Sequence, residues 1–282
     1  MKEALYYYKM DDGSVQCVLC PHNCIIKQDR TGICKVRKNI WGILYTMNYG
    51  RVASYAIDPI EKKPLSHFHP GTMISSIGTF GCNLSCDYCQ NYELVHLNAN
   101  IREVPSELIL EQVLRDGSIG LAYTYNEPTI WYEYVLETAK LIRGNNLVNV
   151  MVTNGFISPE PLAELAKYID AMNIDLKFMN VNHYKNICGA SPGPVIDTIK
   201  AADRFGIHVE ITNLVISGLN SSTKDIEVLV DTISNINPNI PLHLSRYFPS
   251  YKMQIPPTNI EDLHNAYRIA KSKLKYVSLG NV

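Results

Sequence analysis

The sequence predicts an α/β fold: a partial (β/α)6 TIM-like barrel over residues 72–282, preceded by a small N-terminal β-rich, metal-binding module and linker over residues 1–71. Three observations carry this. From residue 72 onward, six short β-rich runs alternate with segments of helical periodicity, a succession that builds a parallel sheet with right-handed crossovers. Six units fall short of the eight that close a full barrel, so a curved open sheet is expected. The first 71 residues differ in texture, with four cysteines and an irregular loop in place of strand–helix alternation.

In chain order, the alternating runs Ile40–Tyr45 and Arg51–Ile57 read as strands of the first module. The barrel strands are expected at 73–80, 120–126, 148–154, 171–178, 208–216 and 241–248. Between them, Ser158 followed by Pro159 opens a helix whose apolar face is Leu162, Leu165, Ala166 and Ile169. Ile226, Leu229, Val230 and Ile233 repeat the i, i+3, i+4, i+7 stripe. Thr258, with Glu261 three residues on, reads as a capping box opening the last helix.

Lysine and arginine number 26 against 27 aspartate and glutamate, and the isoelectric point is about 6.7. That balance gives no electrostatic footprint for nucleic acid or an anionic membrane. No apolar run approaches the roughly 20 residues that span a bilayer, and the N-terminus lacks the apolar core of a signal peptide. A soluble cytoplasmic protein without nucleic-acid or membrane partners is expected. In that reducing compartment, eight cysteines bunched at two- and three-residue gaps suit a metal or a cluster better than disulfides. Cys188 stands apart and reads as a small buried apolar residue with no nearby partner.

Directly after the first barrel strand comes Gly81-Cys82-Asn83-Leu84-Ser85-Cys86-Asp87-Tyr88-Cys89-Gln90-Asn91, a C-x3-C-x2-C pattern at the strand edge where α/β folds place their chemistry. Three thiolates on so short a loop suit three irons of a [4Fe–4S] cluster, with the fourth iron left open for a small molecule. A zinc site is the alternative, but it would need a fourth ligand from far away. Asn173, Asp175 and Lys177 alternate along the fourth strand, so they share a face that lines a cavity or holds a buried ion pair. Cys17, Cys20, Cys24 and Cys34 form C-x2-C-x3-C-x9-C, which suits zinc or a second Fe–S cluster, with His22 able to replace one thiol. His67 and His69 read as exposed loop residues.

The three-cysteine loop resembles the radical S-adenosylmethionine (SAM) superfamily, whose motif has an aromatic residue before the last cysteine; Tyr88 stands there. Asn126 and Glu127, after Tyr125, match a GGE segment with the glutamate kept; Thr153-Asn154-Gly155 matches TNG, and Asp175-Leu176-Lys177 matches DLK. These segments, with Asp58–Phe68, are similar to the pyruvate formate-lyase activating enzyme-related group, especially its AmmeMemoRadiSam members. The resemblance implies a barrel of the radical SAM type, binding a [4Fe–4S] cluster on Cys82, Cys86 and Cys89. It implies SAM contacts from Tyr88, Asn126, Glu127, Thr153, Asn154, Asp175, Lys177, Asn213, His243 and Arg246. Lys177 and His243 would act in catalysis. It implies reductive cleavage of SAM to a 5′-deoxyadenosyl radical and hydrogen abstraction from a protein or small-molecule substrate, with flavodoxin or ferredoxin as electron donor. Val152 replaces the family's cation-binding aspartate, so a cation site is not implied. A glycyl-radical enzyme activase is the alternative within the class, and a non-catalytic iron or redox sensor the alternative outside it.

Overall fold

The computed structural model describes residues 1–96 and 100–282. Its centre is a sheet of eight strands: β1 (Ser54–Pro59), β2 (Met73–Gly78), β3 (Gly120–Tyr123), β4 (Val148–Thr153), β5 (Ala171–Asp175), β6 (His208–Val215), β7 (Leu242–Arg246) and β8 (Val277–Gly280). They lie side by side in chain order. β2 to β8 run parallel, while β1 pairs antiparallel with β2. The two edge strands are not hydrogen-bonded to each other among the described residues, so the sheet is open. All six expected strands are present, each ending a little short of its apolar run. Two more widen the sheet. β1 comes from residues expected to be in the first module, and β8 from the C-terminal segment.

Parity explains how the sheet is covered. Outward side chains such as Ile77, Leu121, Tyr123, Met151, Met172 and Ile174 meet the helices in the main core. Helix α1 (Thr223–Ile236) buries Ile226, Leu229, Val230 and Ile233, the stripe its sequence predicts. Inward side chains Ile74, Ala122, Val150 and Ala171 form a separate apolar cluster with Ile60, Leu65 and the partly buried Phe68. Residues 60–68 are therefore a plug on the inner face of the sheet, not a linker. Each fully buried Ile or Leu contributes roughly 2 kcal/mol of transfer free energy there.

The plug is held by polar groups from four strands. Glu210 on β6 accepts hydrogen bonds from the backbone of Ser66 (3.1 Å) and His67 (2.8 Å). The same carboxylate lies 2.9 Å from His208 Nε2 and 2.6 Å from His243 Nε2. His243 Nδ1 is 2.7 Å from Ser278 Oγ, and Asn173 Nδ2 donates to the Pro64 carbonyl at 2.8 Å. Burial alone would raise the Glu210 carboxyl, but the bonds from His208 and His243 outweigh it and hold its pKa down at about 2.

The first 52 residues form two small three-stranded antiparallel sheets, and Arg51–Val52 pairs with Arg102–Glu103. The run Ile40–Tyr45 is a hairpin, not one strand: Trp41 (φ 55°) and Gly42 (φ 74°) both occupy the left-handed region, as a two-residue turn demands. The last helix, α2 (Ile260–Lys271), is capped by Asn259, whose side chain accepts from the Glu261 N–H at 3.0 Å. Thr258 is not the cap. Its buried hydroxyl instead donates to Val215 O and accepts from Tyr247 N–H, tying β6 to the segment after β7.

Candidate active site

Beyond β2 the chain turns at Gly81 (φ 83°) into the three-cysteine loop. Backbone pairing fixes the loop's shape. Ser85 N–H donates to Cys188 O and Asp87 N–H to Ile187 O, each at 3.0 Å, from a single π-helical turn at Tyr184–Cys188. Lys252 and Met253 N–H both donate to Asp87 O. Asn83 donates to Phe156 O and accepts from Asn154 Nδ2, each at 2.8 Å, which ties the loop to the end of β4.

A cavity of about 430 Å³ opens at this edge of the sheet. Cys82, Cys86 and Cys89 line it, as do Tyr88, Asn126, Glu127, Val152, Thr153, Asn154, Asp175 and Lys177. The structure thus gathers the segments from four separate strand ends. Glu127 is 1% exposed. Its Oε1 accepts from Thr129 N–H (2.9 Å) and Thr153 Oγ1 (2.7 Å), and Oε2 from Asn154 N–H (2.8 Å). A carboxylate offers about four lone-pair positions, so one remains, on Oε2. Burial pushes the Glu127 pKa up against those three bonds. Asp175 and Lys177 pair at 2.8 Å. Burial opposes the Lys177 charge, but the Asp175 carboxylate beside it holds its pKa well above the usual value.

Other residues serve the framework around the cavity. Asn126 is a strut in the cavity wall, accepting from Thr79 N–H and donating to Gly81 O. His243 does not line the cavity: it shares the inward face of β7 with Ser245, which does, but lies two residues nearer the plug. Asn213 and Arg246 have the opposite parity to the lining residues Thr212, Leu214 and Ser245. Asn213 donates to Leu176 O and Lys177 O, and Arg246 Nε to Thr258 O. Asn173 holds the plug. His67 and His69 are exposed, as expected. Cys188 is buried but not alone, since its Sγ is 3.5 Å from Tyr88 Oη and beside the Cys86 thiol.

Sequence reasoning missed further lining residues of the cavity: Lys62 and Pro64 of the plug, with Tyr125, Thr212, Ser245 and Asn281. One signal was present. Tyr125 occupies a glycine position of the matched GGE segment and keeps a left-handed φ of 71°, which costs an ordinary side chain about 1–2 kcal/mol.

The donor set suits an iron–sulfur cluster. Burial, then the charges of Glu127 and Cys86, push the Cys82 thiol well up, so as a free thiol it stays protonated, and a bound cation must displace that proton. Leu84 N–H (3.4 Å) and Asn154 Nδ2 (3.7 Å) point at Cys82 Sγ as donors, which favours a charged sulfur there.

Residues 76–233, more than half of the chain, match the family model described as the Radical SAM superfamily. The chain belongs to the radical SAM superfamily. It is an enzyme whose cofactors are a [4Fe–4S] cluster and SAM, and the non-catalytic sensor is set aside. Over its whole length it is 44% identical to an uncharacterized protein of Methanocaldococcus jannaschii, covering 86% of that protein. Over 55% of its length it is 26% identical to a pyruvate formate-lyase-activating enzyme of Clostridium pasteurianum, covering 67% of that enzyme. In fold it is similar to SAM-bound Streptococcus suis SuiB, with a TM-score of 0.57 at 17% identity over 72% of this chain and 50% of that one. No helix among the described residues is long and apolar enough to cross a membrane.

Proposed function

We propose that this radical SAM enzyme abstracts a hydrogen atom from a substrate held in the 430 Å³ cavity, with Cys82, Cys86 and Cys89 ligating three irons and leaving the fourth for SAM. When bound, the cluster and SAM supply reductive cleavage of the sulfonium to methionine and a 5′-deoxyadenosyl radical. The chain's own residues bind and orient. Glu127 offers its remaining Oε2 position to an ammonium group, in a charge-assisted bond about twice as strong as a neutral one. Lys177, pinned by Asp175, pairs with a carboxylate. Thr153 and Asn154 are locked by Glu127, and Tyr88 walls the cavity beside the loop. The other lining residues, among them Lys62, Pro64, Thr212, Ser245 and Asn281, are left for the substrate. His243 has a positioning role through Glu210 and the plug, and is assigned no catalytic one.

The convergence of three thiols, Glu127 and the Asp175–Lys177 pair on one cavity carries this assignment. Reconstituted anaerobically and reduced, the protein should release methionine and 5′-deoxyadenosine in equal amounts. A protein with an intact cluster that releases neither refutes it. A second assignment, activation of a glycyl-radical enzyme with electrons from a flavodoxin or ferredoxin, is favoured by relatives named as activating enzymes at 26–27% identity. Deuterium passing from an α-deuterated glycine peptide into 5′-deoxyadenosine would support it, and transfer only from small molecules would exclude it.

A further inference from the structure

The four N-terminal cysteines line a second, smaller cavity of about 10 Å³, room for one small occupant. Cys17, Cys20 and Cys34 are buried and Cys24 is partly so. The remaining wall is mostly apolar, from Leu19, Ile26, Ile33 and Ile130.

One polar group on this wall points to a ligand. Arg37 is 1% exposed and its two terminal nitrogens reach Glu133 and Leu5 O, yet its Nε–H has no hydrogen-bond partner. A buried N–H left unpaired is destabilising, because it has lost its water and gained no acceptor. A thiolate or sulfide sulfur would satisfy it, and the guanidinium would offset part of a tetrathiolate's negative charge.

The second cavity also shares a wall with the first. Cys82 lines the larger cavity, while the next residue, Asn83, lines the smaller. His22, between Cys20 and Cys24, has its Nε2 2.7 Å from Asn83 O, which leaves that nitrogen committed to the loop and not to a metal. A Cβ on Gly81 would lie 2.8 Å from Cys34 O, so the two cysteine sets meet backbone to backbone. Among the described residues, no three His, Cys, Asp or Glu side chains already form the shell of a single ion, and this holds for both cysteine sets. An occupant of the small site would draw its thiols inward.

We infer that Cys17, Cys20, Cys24 and Cys34 form a second metal centre, a closed tetrathiolate one, whose metal fixes the Cys82–Asn83 wall of the SAM site. Zinc and an Fe–S cluster share this ligand chemistry. The comparison with the Cys82 loop rests on the function proposed above, but the metal count does not.

The test is metal and acid-labile sulfide analysis of anaerobically purified protein carrying Cys82→Ala, Cys86→Ala and Cys89→Ala together. One zinc per chain, or iron with matching sulfide, is expected to remain, and to disappear when Cys20→Ser and Cys34→Ser are added. A folded triple variant containing neither overturns the inference. In the wild-type background, Cys20→Ser with Cys34→Ser should keep the inner cluster's iron while altering its EPR line shape. An unchanged line shape overturns the coupling between the sites. Circular dichroism checks folding throughout.

Discussion

The two cysteine sites are built from the same side chain and are opposite in design. The Cys82 loop offers three thiols, stands at the parallel strand ends and opens onto a large cavity with charged residues on its wall. The Cys17–Cys34 set offers four, lies among aliphatic side chains and has room for little besides its own occupant. Reactive metal sites keep a coordination position open, whereas structural ones close it. The number of cysteines matters less than what surrounds them: Glu127, Asp175 and Lys177 around one, and Leu19, Ile26 and Ile130 around the other.

The sharpest way to break this contrast is at Glu127. Glu127→Ala leaves Thr129 N–H, Asn154 N–H and Thr153 Oγ1 without their acceptor, so a loss of about 3 kcal/mol is expected together with most of the SAM affinity. Thermal melts and calorimetric titration with SAM measure the two effects. Removing Arg37, in the other site, should cost stability and leave SAM affinity nearly intact.

Acid comes next. The Glu210 pKa lies below its unfolded value of 4.5, so its stabilisation is fully present above pH 4.5 and is lost as the pH falls towards 2. The whole effect is about 3 kcal/mol, and chemical denaturation in that window should show it in the wild type and lose it in Glu210→Gln. A slope that survives the substitution would remove Glu210 as its origin.

The smallest expected effect is on redox. Hydrogen bonds to cluster sulfurs stabilise the reduced, more negative state. Asn154→Leu removes the side-chain donor to Cys82 Sγ, and should lower the midpoint potential in an EPR-monitored titration without loss of iron.

Much of this was legible in the sequence. Strand–helix alternation located the six central strands, and cysteine spacing pointed to both candidate sites. Period-two alternation, however, gives the face of a strand but neither its parity against the cavity nor the height along it. His243 has the right face, yet two residues of strand, about 6.6 Å, separate it from Ser245 at the cavity. Asn213 and Arg246 have the wrong parity, which no local pattern reveals. The plug was illegible for a different reason. Residues 60–68 carry turn-forming and charged residues typical of a linker, and only the packing of Ile60, Leu65 and Phe68 against Ile74, Ala122 and Val150 shows where they go.

The most direct measurement is the EPR spectrum of the reduced protein with and without SAM, in the two cysteine variants. With Cys20→Ser and Cys34→Ser, SAM should still shift the cluster signal, because the open iron on the Cys82 loop remains. With Cys82, Cys86 and Cys89 all replaced by alanine, no signal should respond to SAM. A SAM-responsive iron signal persisting in the triple variant would contradict the assignment of the two sites.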